Sequence, residues 1–442
     1  MSTRSVVLIS TYELGRQPFG LASPAAWLLR AGLEVTCVDL SRESFKPRMA
    51  KAELVAFYLP MHTATRLAIP VILQIRRLNP NISICCYGLY APLNETFLRS
   101  LGVSYILGGE FEADLVRVAT GRTTTTSHRV LPRLEFIKPV RELLPPLSRY
   151  ATLQQSSRRR VVGYTEASRG CKHVCRHCPI VPVYGGQFRV IDPDVVVADV
   201  EAQVAEGAEH ITFGDPDFLN GVRHARRVVE AVAHRCPGLT YDVTIKVEHL
   251  LAHSDMLPLL HETGCLFVTS AVESFDDEVL RRFGKRHTRH DIERASDLCC
   301  STGLSFIPTF VAFTPWTTRD SYRDFLAEID RLELVEHVAP IQLAIRLLVT
   351  AGSRLLELDD VKSLLGPYDE SRLLYPWKHV DPGIDQLTED VGTIVQRRRA
   401  STRRDIFDDV WKCAYDGETV PARRPVSGRR VEVPYLNEPW YC

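Results

Sequence analysis

Twice along this chain short apolar runs alternate with amphipathic stretches, and that alternation restricts it to a parallel α/β architecture. In the first series, strand-like runs fall at 6–10, 34–39, 54–59, 82–87 and 105–108, with helical patterns such as 25–31 and 69–78 between them. Residues 1–118 are therefore expected to form a doubly wound, Rossmann-like domain. A linker over 119–160 follows, with Gly121-Arg-Thr-Thr-Thr-Thr126, Pro132, Pro139, Pro145, Pro146 and the charged Arg158-Arg-Arg160, none of which suits a packed element. The second series begins at Val161. Its strands are expected at 161–165, 210–214, 241–247, 266–272, 305–313 and 341–349, and its helices at 193–206, 222–234, 257–263, 289–302 and 321–334. Gly207, Gly238, Gly264 and Gly303 stand where helix C-caps belong. Six such units over 161–355 predict a partial (β/α)6 barrel, whose chemistry gathers at the carboxyl ends of its strands. Residues 356–442 break the pattern with Arg397-Arg-Arg399, Arg423-Arg424, Arg429-Arg430 and an aromatic tail, and read as a small extension packed on the barrel.

With 54 basic and 54 acidic residues, the chain carries no global attraction for nucleic acid or anionic membrane. There is no apolar run of membrane-spanning length. Met-Ser-Thr-Arg-Ser followed by Val6-Val-Leu-Ile9 reads as a first buried strand and lacks the features of a signal peptide, so a cytoplasmic location is expected. Twelve cysteines in such a setting argue against a disulfide framework. Most are single or in adjacent pairs, as at Cys85-Cys86 and Cys299-Cys300, and read as buried apolar thiols.

Three cysteines are different. Ser168-Arg-Gly-Cys171-Lys-His-Val-Cys175-Arg-His-Cys178-Pro179 directly follows the first barrel strand. A Cys-x3-Cys-x2-Cys loop can hold three corners of a [4Fe-4S] cluster and leave the fourth iron without a protein ligand, the open position a catalytic centre needs. The alternative is zinc, with His173 or His177 as fourth ligand. Structural zinc loops usually pair two Cys-x2-Cys knuckles, and no second knuckle is present.

Over 161–350 the sequence resembles the radical S-adenosylmethionine (SAM) superfamily. That resemblance implies an open iron chelating the amino and carboxylate groups of SAM, and one-electron cleavage to methionine and a 5′-deoxyadenosyl radical. It assigns Cys171, Cys175 and Cys178 to the cluster and sets His177, the residue before the third cysteine, beside adenine. Phe213-Gly-Asp-Pro216 lines up with the family's Gly-Gly-Glu-Pro element, which puts Asp215 where the SAM ammonium is received; an Asp-Pro turn is the structural alternative. Ala271-Val-Glu273-Ser274 is similar to the element that meets the ribose or methionine part of SAM. Lys246 at the third strand end either pairs with the SAM carboxylate or is an exposed lysine. Phe283-Gly-Lys-Arg-His287-Thr288 resembles the family's Lys-x-His-Thr stretch, which Thr288 as a helix N-cap also explains.

The first domain with its Pro-rich linker resembles the cobalamin-binding-domain branch of this superfamily, through Pro24-Ala-Ala-Trp27, Gly32–Asp39 and Gly108-Gly-Glu110-Phe-Glu112. Many cobalamin modules carry a ligating histidine after the first strand, but here the loop reads Ser10-Thr-Tyr-Glu-Leu-Gly15. Some branch members bind cobalamin without it, so cobalamin stays an option. His62 lies near that pocket or is a hydrogen-bonded loop histidine. The tail Pro434-Tyr-Leu-Asn-Glu-Pro-Trp-Tyr-Cys442 resembles radical SAM proteins that end in Cys-Cys-Ala-Glu-Pro or its selenocysteine form. That resemblance implies that the end at Cys442 is a selenocysteine codon read as stop, with Cys442 half of a redox pair. Docking of Trp440 and Tyr441 in a groove is the plainer reading.

The expected function is a radical SAM enzyme acting on a small molecule or peptide, with an electron donor such as ferredoxin or flavodoxin and, if cobalamin binds, methyl transfer. A non-catalytic iron-sulfur redox sensor and a methylthiotransferase-like tRNA-modifying enzyme are the alternatives. The scattered arginines of a neutral chain make a nucleic-acid partner the weakest reading.

Overall fold

The computed structural model describes residues 4–122, 131, 133–155, 157–398, 401–415, 418–423 and 433–437. The first βα series forms β1 (Ser5–Ser10), α1 (Phe19–Arg30), β2 (Glu34–Asp39), β3 (Leu54–Tyr58), α2 (His62–Leu78), β4 (Ser83–Tyr87), α3 (Tyr90–Leu93), α4 (Glu95–Ser100), β5 (Tyr105–Leu107) and α5 (Glu112–Ala119). Its five strands are all parallel, in the order β2-β1-β3-β4-β5. Both faces are covered, which is why its strands are apolar throughout rather than alternating. Val6 and Leu8 pack with Leu21, Leu28 and Leu115 of α1 and α5, whereas Val7 and Ile9 pack with Ala68, Ile72 and Ile75 of α2. The strand order reverses between β1 and β3, and ligands of open α/β sheets bind at the carboxyl edge of such a switch point.

The second series runs β6 (Thr152–Gln155), β7 (Arg158–Thr165), β8 (Ser168–Gly170), α6 (Val181–Tyr184), β9 (Phe188–Val190), α7 (Pro193–Ala205), β10 (His210–Phe213), α8 (Val222–Arg235), β11 (Thr240–Thr244), α9 (Val247–Ala252), α10 (Met256–Glu262), β12 (Cys265–Glu273), α11 (Asp277–Phe283), α12 (Arg289–Ser301), β13 (Ser305–Phe310) and α13 (Arg319–Arg331). Strands β7, β10, β11, β12 and β13 lie parallel in that order, and β6 adds antiparallel to β7. Gly207 and Gly303 close α7 and α12 at positive φ, as their positions predicted.

The sixth strand expected at 341–349 is a correction. Residues Pro340–Leu343 form a 3-10 turn, and the unit joins the sheet only through a parallel bridge between Phe313 and Arg346. The Gln342 side chain explains this, because its Oε1 accepts the Phe310 N–H at 2.7 Å and takes the place of a ladder bond. Beyond it lie α14 (Asp359–Lys362), α15 (Pro382–Arg397), α16 (Arg403–Ala414) and β14 (Tyr435–Leu436), which pairs antiparallel with β6. Ile384, Leu387, Phe407 and Trp411 of α15 and α16 share one core with Phe313 and Tyr322 of the barrel. Residues 438–442, on which the expectations for Trp440, Tyr441 and Cys442 rest, lie outside the described residues.

Two buried guanidiniums join the halves. Arg141, in the segment between the sheets, makes a bidentate pair with Asp199 of α7 at 3.0 and 2.8 Å and donates to Tyr164 O and to Gln17 Oε1. Arg169 of β8 sits 2.7 Å from both Glu112 of α5 and Glu166, with Glu110 at 3.4 Å. The rings of Phe19, Phe111 and Phe136 close around it. Acids outnumber bases here, and Glu110 is pushed up to about 7 by burial, with Glu112 adding to the rise.

Glu13, in the loop after β1, is buried in the same seam, and its Oε2 has no hydrogen-bond partner among the described residues. Burial, then the Glu166 charge, pushes its carboxyl up to about 8. A carboxyl raised in the folded state favours the protonated native form. Its contribution to stability is complete below about pH 4.5 and is lost as pH rises through about 8. Glu13→Gln should therefore melt close to the wild type at pH 5. At pH 9 it should be more stable by on the order of 1–3 kcal/mol, the cost of an unsatisfied buried group; parallel pH profiles of the thermal midpoint would contradict this.

Candidate active site

The cysteine loop leaves the carboxyl end of β7 and is framed by the β8–β9 hairpin. Gly170 has φ +75, and a Cβ there would meet Gln187 O at 2.5 Å and the Tyr184 ring at 2.4 Å, so only glycine fits before Cys171. Cys171 N donates to Gln187 O, and Cys178 N donates to Cys175 O. Asn220 Oδ1 accepts the Lys172 N–H and lies 3.8 Å from Cys171 Sγ. Two ammonium groups face the thiols. Lys246 Nζ is 3.6 Å from Cys175 Sγ, and the Lys285 ammonium is held charged by Glu273 first and then by Cys175 and Cys178. Three inward thiols flanked by two cations suit a thiolate-ligated [4Fe-4S] cluster, whose negative charge those lysines offset.

The expected strand-end residues divide into two groups. Glu273, at the end of β12, takes φ +75, a strained conformation for a glutamate, where the ladder to β13 slips register. Its Oε1 accepts from Lys285 Nζ at 3.0 Å and His177 Nε2 at 3.1 Å, and the His177 ring packs on Phe283 at 4.6 Å. The Lys285 and His177 charges hold the Glu273 carboxyl far below its ordinary range. Glu273 also lines a cavity of about 280 Å³ at the carboxyl ends of β12 and β13. Asp215 turns the other way. Its oxygens accept from Ala167 N at 2.9 Å and Ser168 Oγ at 2.5 Å, which pins the turn between β7 and β8. Lys246 N-caps α9 with its ammonium toward Cys175 and, at 3.5 Å, Glu248.

Lys285 was missed at sequence level, although its signal was the Lys-x-His-Thr stretch. Thr288 does cap α12 in a capping box with Asp291, as its position predicted. The two residues ahead of that cap face the strand end: Lys285 donates to Ala271 O at 2.7 Å, and His287 Nε2 lies 3.2 Å from Val272 O. One stretch serves both the helix start and the site.

The carboxyl edges of the two sheets face a common cavity of about 220 Å³, lined by Glu13, Tyr58, Phe111, Tyr164, Glu166 and Arg169 and reaching Gly170 and Pro216 beside the cysteine loop. This is where a corrinoid would lie between the domains. The lining is polar and aromatic, but the space is below the 300–1,000 Å³ of drug-sized ligands, and a corrinoid is larger still. The Tyr58 ring occupies the floor, so close that a Cβ at Gly20 would come within 2.2 Å of it. The cavity as it stands does not fit cobalamin, and entry of a corrin requires the Tyr58 ring to move. His62 lines no part of it, because its Nε2 bonds Arg372 O at 2.7 Å.

Residues 165–329 match the family description "Radical SAM superfamily". The hopanoid C-3 methylase of Methylococcus capsulatus is 24% identical over 151 residues, 34% of this chain and 29% of that protein. A putative methylthiotransferase of Methanocaldococcus jannaschii is 23% identical over 314 residues, 66% of this chain and 69% of that protein. The structure of the cobalamin-dependent SAM radical enzyme OxsB with aqua-cobalamin bound superposes with a TM-score of 0.68 at 15% identity, covering 88% of this chain and 66% of OxsB, a likeness of fold. No helix among the described residues is long and apolar enough to cross a membrane. The parallel half-barrel with the cysteine loop at the end of its first strand thus matches the radical SAM superfamily, whose cofactors are a [4Fe-4S] cluster and SAM, and it stands behind a parallel sheet in a fold like that of OxsB.

Proposed function

We propose that Cys171, Cys175 and Cys178 hold three corners of the [4Fe-4S] cluster, and that the enzyme directs its radical at a small-molecule or peptide substrate admitted between the two sheets. The observation that carries this is the pair of lysines, Lys246 and Lys285, turned onto a three-thiol loop at the barrel mouth in which Cys171 and Cys175 are buried. When bound, the cluster supplies one electron to SAM, which yields methionine and a 5′-deoxyadenosyl radical.

The chain's own residues have separable tasks in this reading. Lys246 and Lys285 balance thiolate charge and fix the electrostatics around the open iron. Glu273, charged and strained at the end of β12, presents its free oxygen to the polar part of SAM while His177 lies beside the adenine. Asp215 is a positioning residue, because both its oxygens hold the turn that aims the cysteine loop. An oxygen-labile cluster fed one electron at a time suits a reducing cytoplasm and a ferredoxin or flavodoxin donor. Cobalamin-dependent methyl transfer is the second reading, favoured by the likeness of fold to OxsB, whose structure has aqua-cobalamin bound, and it requires the Tyr58 ring to leave the interdomain cavity.

Anaerobically reconstituted protein should carry about four iron and four sulfide per chain. Once reduced with SAM, it should form 5′-deoxyadenosine. Alanine at any of the three cysteines should remove both properties, and stoichiometric zinc without labile sulfide would sink the assignment. Under the methyl-transfer reading, protein given hydroxocobalamin also accumulates S-adenosylhomocysteine; its absence leaves the hydrogen-abstraction chemistry alone.

Glu273→Gln should keep the cluster spectrum and weaken SAM binding by about 1–3 kcal/mol, the range for a charge-assisted hydrogen bond. Asp215→Asn should instead lower the iron bound per chain, with SAM affinity per cluster unchanged. Equal effects of the two substitutions on SAM affinity would overturn this division of roles.

A further inference from the structure

Beside Cys171, a second group of ligand-type side chains converges. His173 lies between Cys171 and Cys175, Asp217 follows β10, and Glu248 and His249 stand in the first turn of α9. Asp217 Oδ2 is 2.6 Å from His249 Nδ1 and 3.3 Å from His173 Nε2. The other ring nitrogen of His173, Nδ1, is 2.7 Å from Glu248 Oε1.

Burial and direction matter more than proximity. Asp217, His249 and His173 are 0%, 6% and 9% exposed. Yet Asp217 Oδ2, His249 Nδ1 and His173 Nε2 make no hydrogen bond of sound geometry among the described residues. Asp217 Oδ2 is within ion-pair range of both rings, but buried polar atoms whose contacts lack hydrogen-bond geometry are costly unless one partner satisfies them together. Their setting is fixed independently. Asp217 caps the 3-10 turn Phe218–Gly221 through Oδ1, which leaves Oδ2 for the cluster of atoms. Glu248 beside Nδ1 of His173 selects the tautomer whose lone pair is on Nε2, the carboxylate–histidine arrangement that orients metal-binding imidazoles.

We propose that His173 Nε2, Asp217 Oδ2 and His249 Nδ1 bind a divalent transition-metal cation beside Cys171, whose thiol lies within 4.8 Å of the His173 and Asp217 donors, with Glu248 orienting His173. Two imidazoles and one carboxylate match the donors of zinc, which takes such ligands at about 2.0–2.2 Å. The three ligands come from the cysteine loop, the end of β10 and the start of α9, so the cation ties that loop to two strand ends of the barrel. The competing account of these contacts is a protonated His173 bridging Asp217 and Glu248 with no metal.

Zinc itself is the probe. Full-length protein with its cluster reconstituted is equilibrated anaerobically with a small excess of zinc chloride, desalted, and assayed for zinc, iron and sulfide per chain. The expected result is one zinc per chain with iron and sulfide unchanged. Asp217→Asn and His249→Gln should lose that zinc and keep the iron, while Glu248→Gln, on a side chain that is 14% exposed, should weaken zinc binding about 10–100-fold. Failure of the wild type to retain zinc, or undiminished zinc in the variants that fold, overturns the site. Zinc taken up only as iron is lost also overturns it, since the cysteines are then the zinc ligands.

Discussion

The buried guanidinium of Arg169 is the contact on which the arrangement of this enzyme turns. It lies two residues before Cys171, yet its partners are Glu110 and Glu112, at the end of the first sheet, together with Glu166 at the end of β7. A charge so placed is tolerable only if paired, and removing one partner of a buried pair costs far more than the pair contributes. The loop that carries the cysteines is thus held by the N-terminal domain as much as by the barrel. Arg141 repeats the device one layer deeper, joining Gln17, Tyr164 and Asp199. The two sheets therefore present their carboxyl edges to one space, and chemistry at the loop is open to whatever that space admits.

What that space admits follows from the side chains at the switch point. In place of a histidine after β1 there are Glu13 and Arg16, and Tyr58 packs against Tyr87 and Phe111. The domain retains the strand order of its class while filling the floor of the cavity with its own aromatic rings. The acids around it stay partly protonated near neutrality, which makes the seam less negative than its composition suggests.

Much of this was legible in the sequence. The parallel sheets follow from strand spacing and helix-closing glycines, and the Cys-x3-Cys-x2-Cys loop announces itself by ligand count. Glu273 was visible through the resemblance of Ala271-Val-Glu273-Ser274 to the strand-end element of the superfamily. Other parts were hidden for physical reasons. Arg169 reads as a surface arginine until the partners at Glu110 and Glu112, more than fifty residues earlier, fold against it. Gln342 looks like one polar residue in an apolar strand, and only the Phe310 N–H it satisfies reveals why no regular strand forms there. His173 and Asp217 were within reach of a search for metal donors, but His249 joins them only through the barrel.

The central claim is that a three-thiol loop leaves one iron open for SAM. Mössbauer spectroscopy of protein reconstituted with iron-57 tests this most directly. Four irons in one cubane are expected, with one quarter of the signal moving to a higher isomer shift when SAM is added, as that iron gains nitrogen and oxygen ligands. A spectrum unchanged by SAM, or one without a cubane signature, would contradict the account.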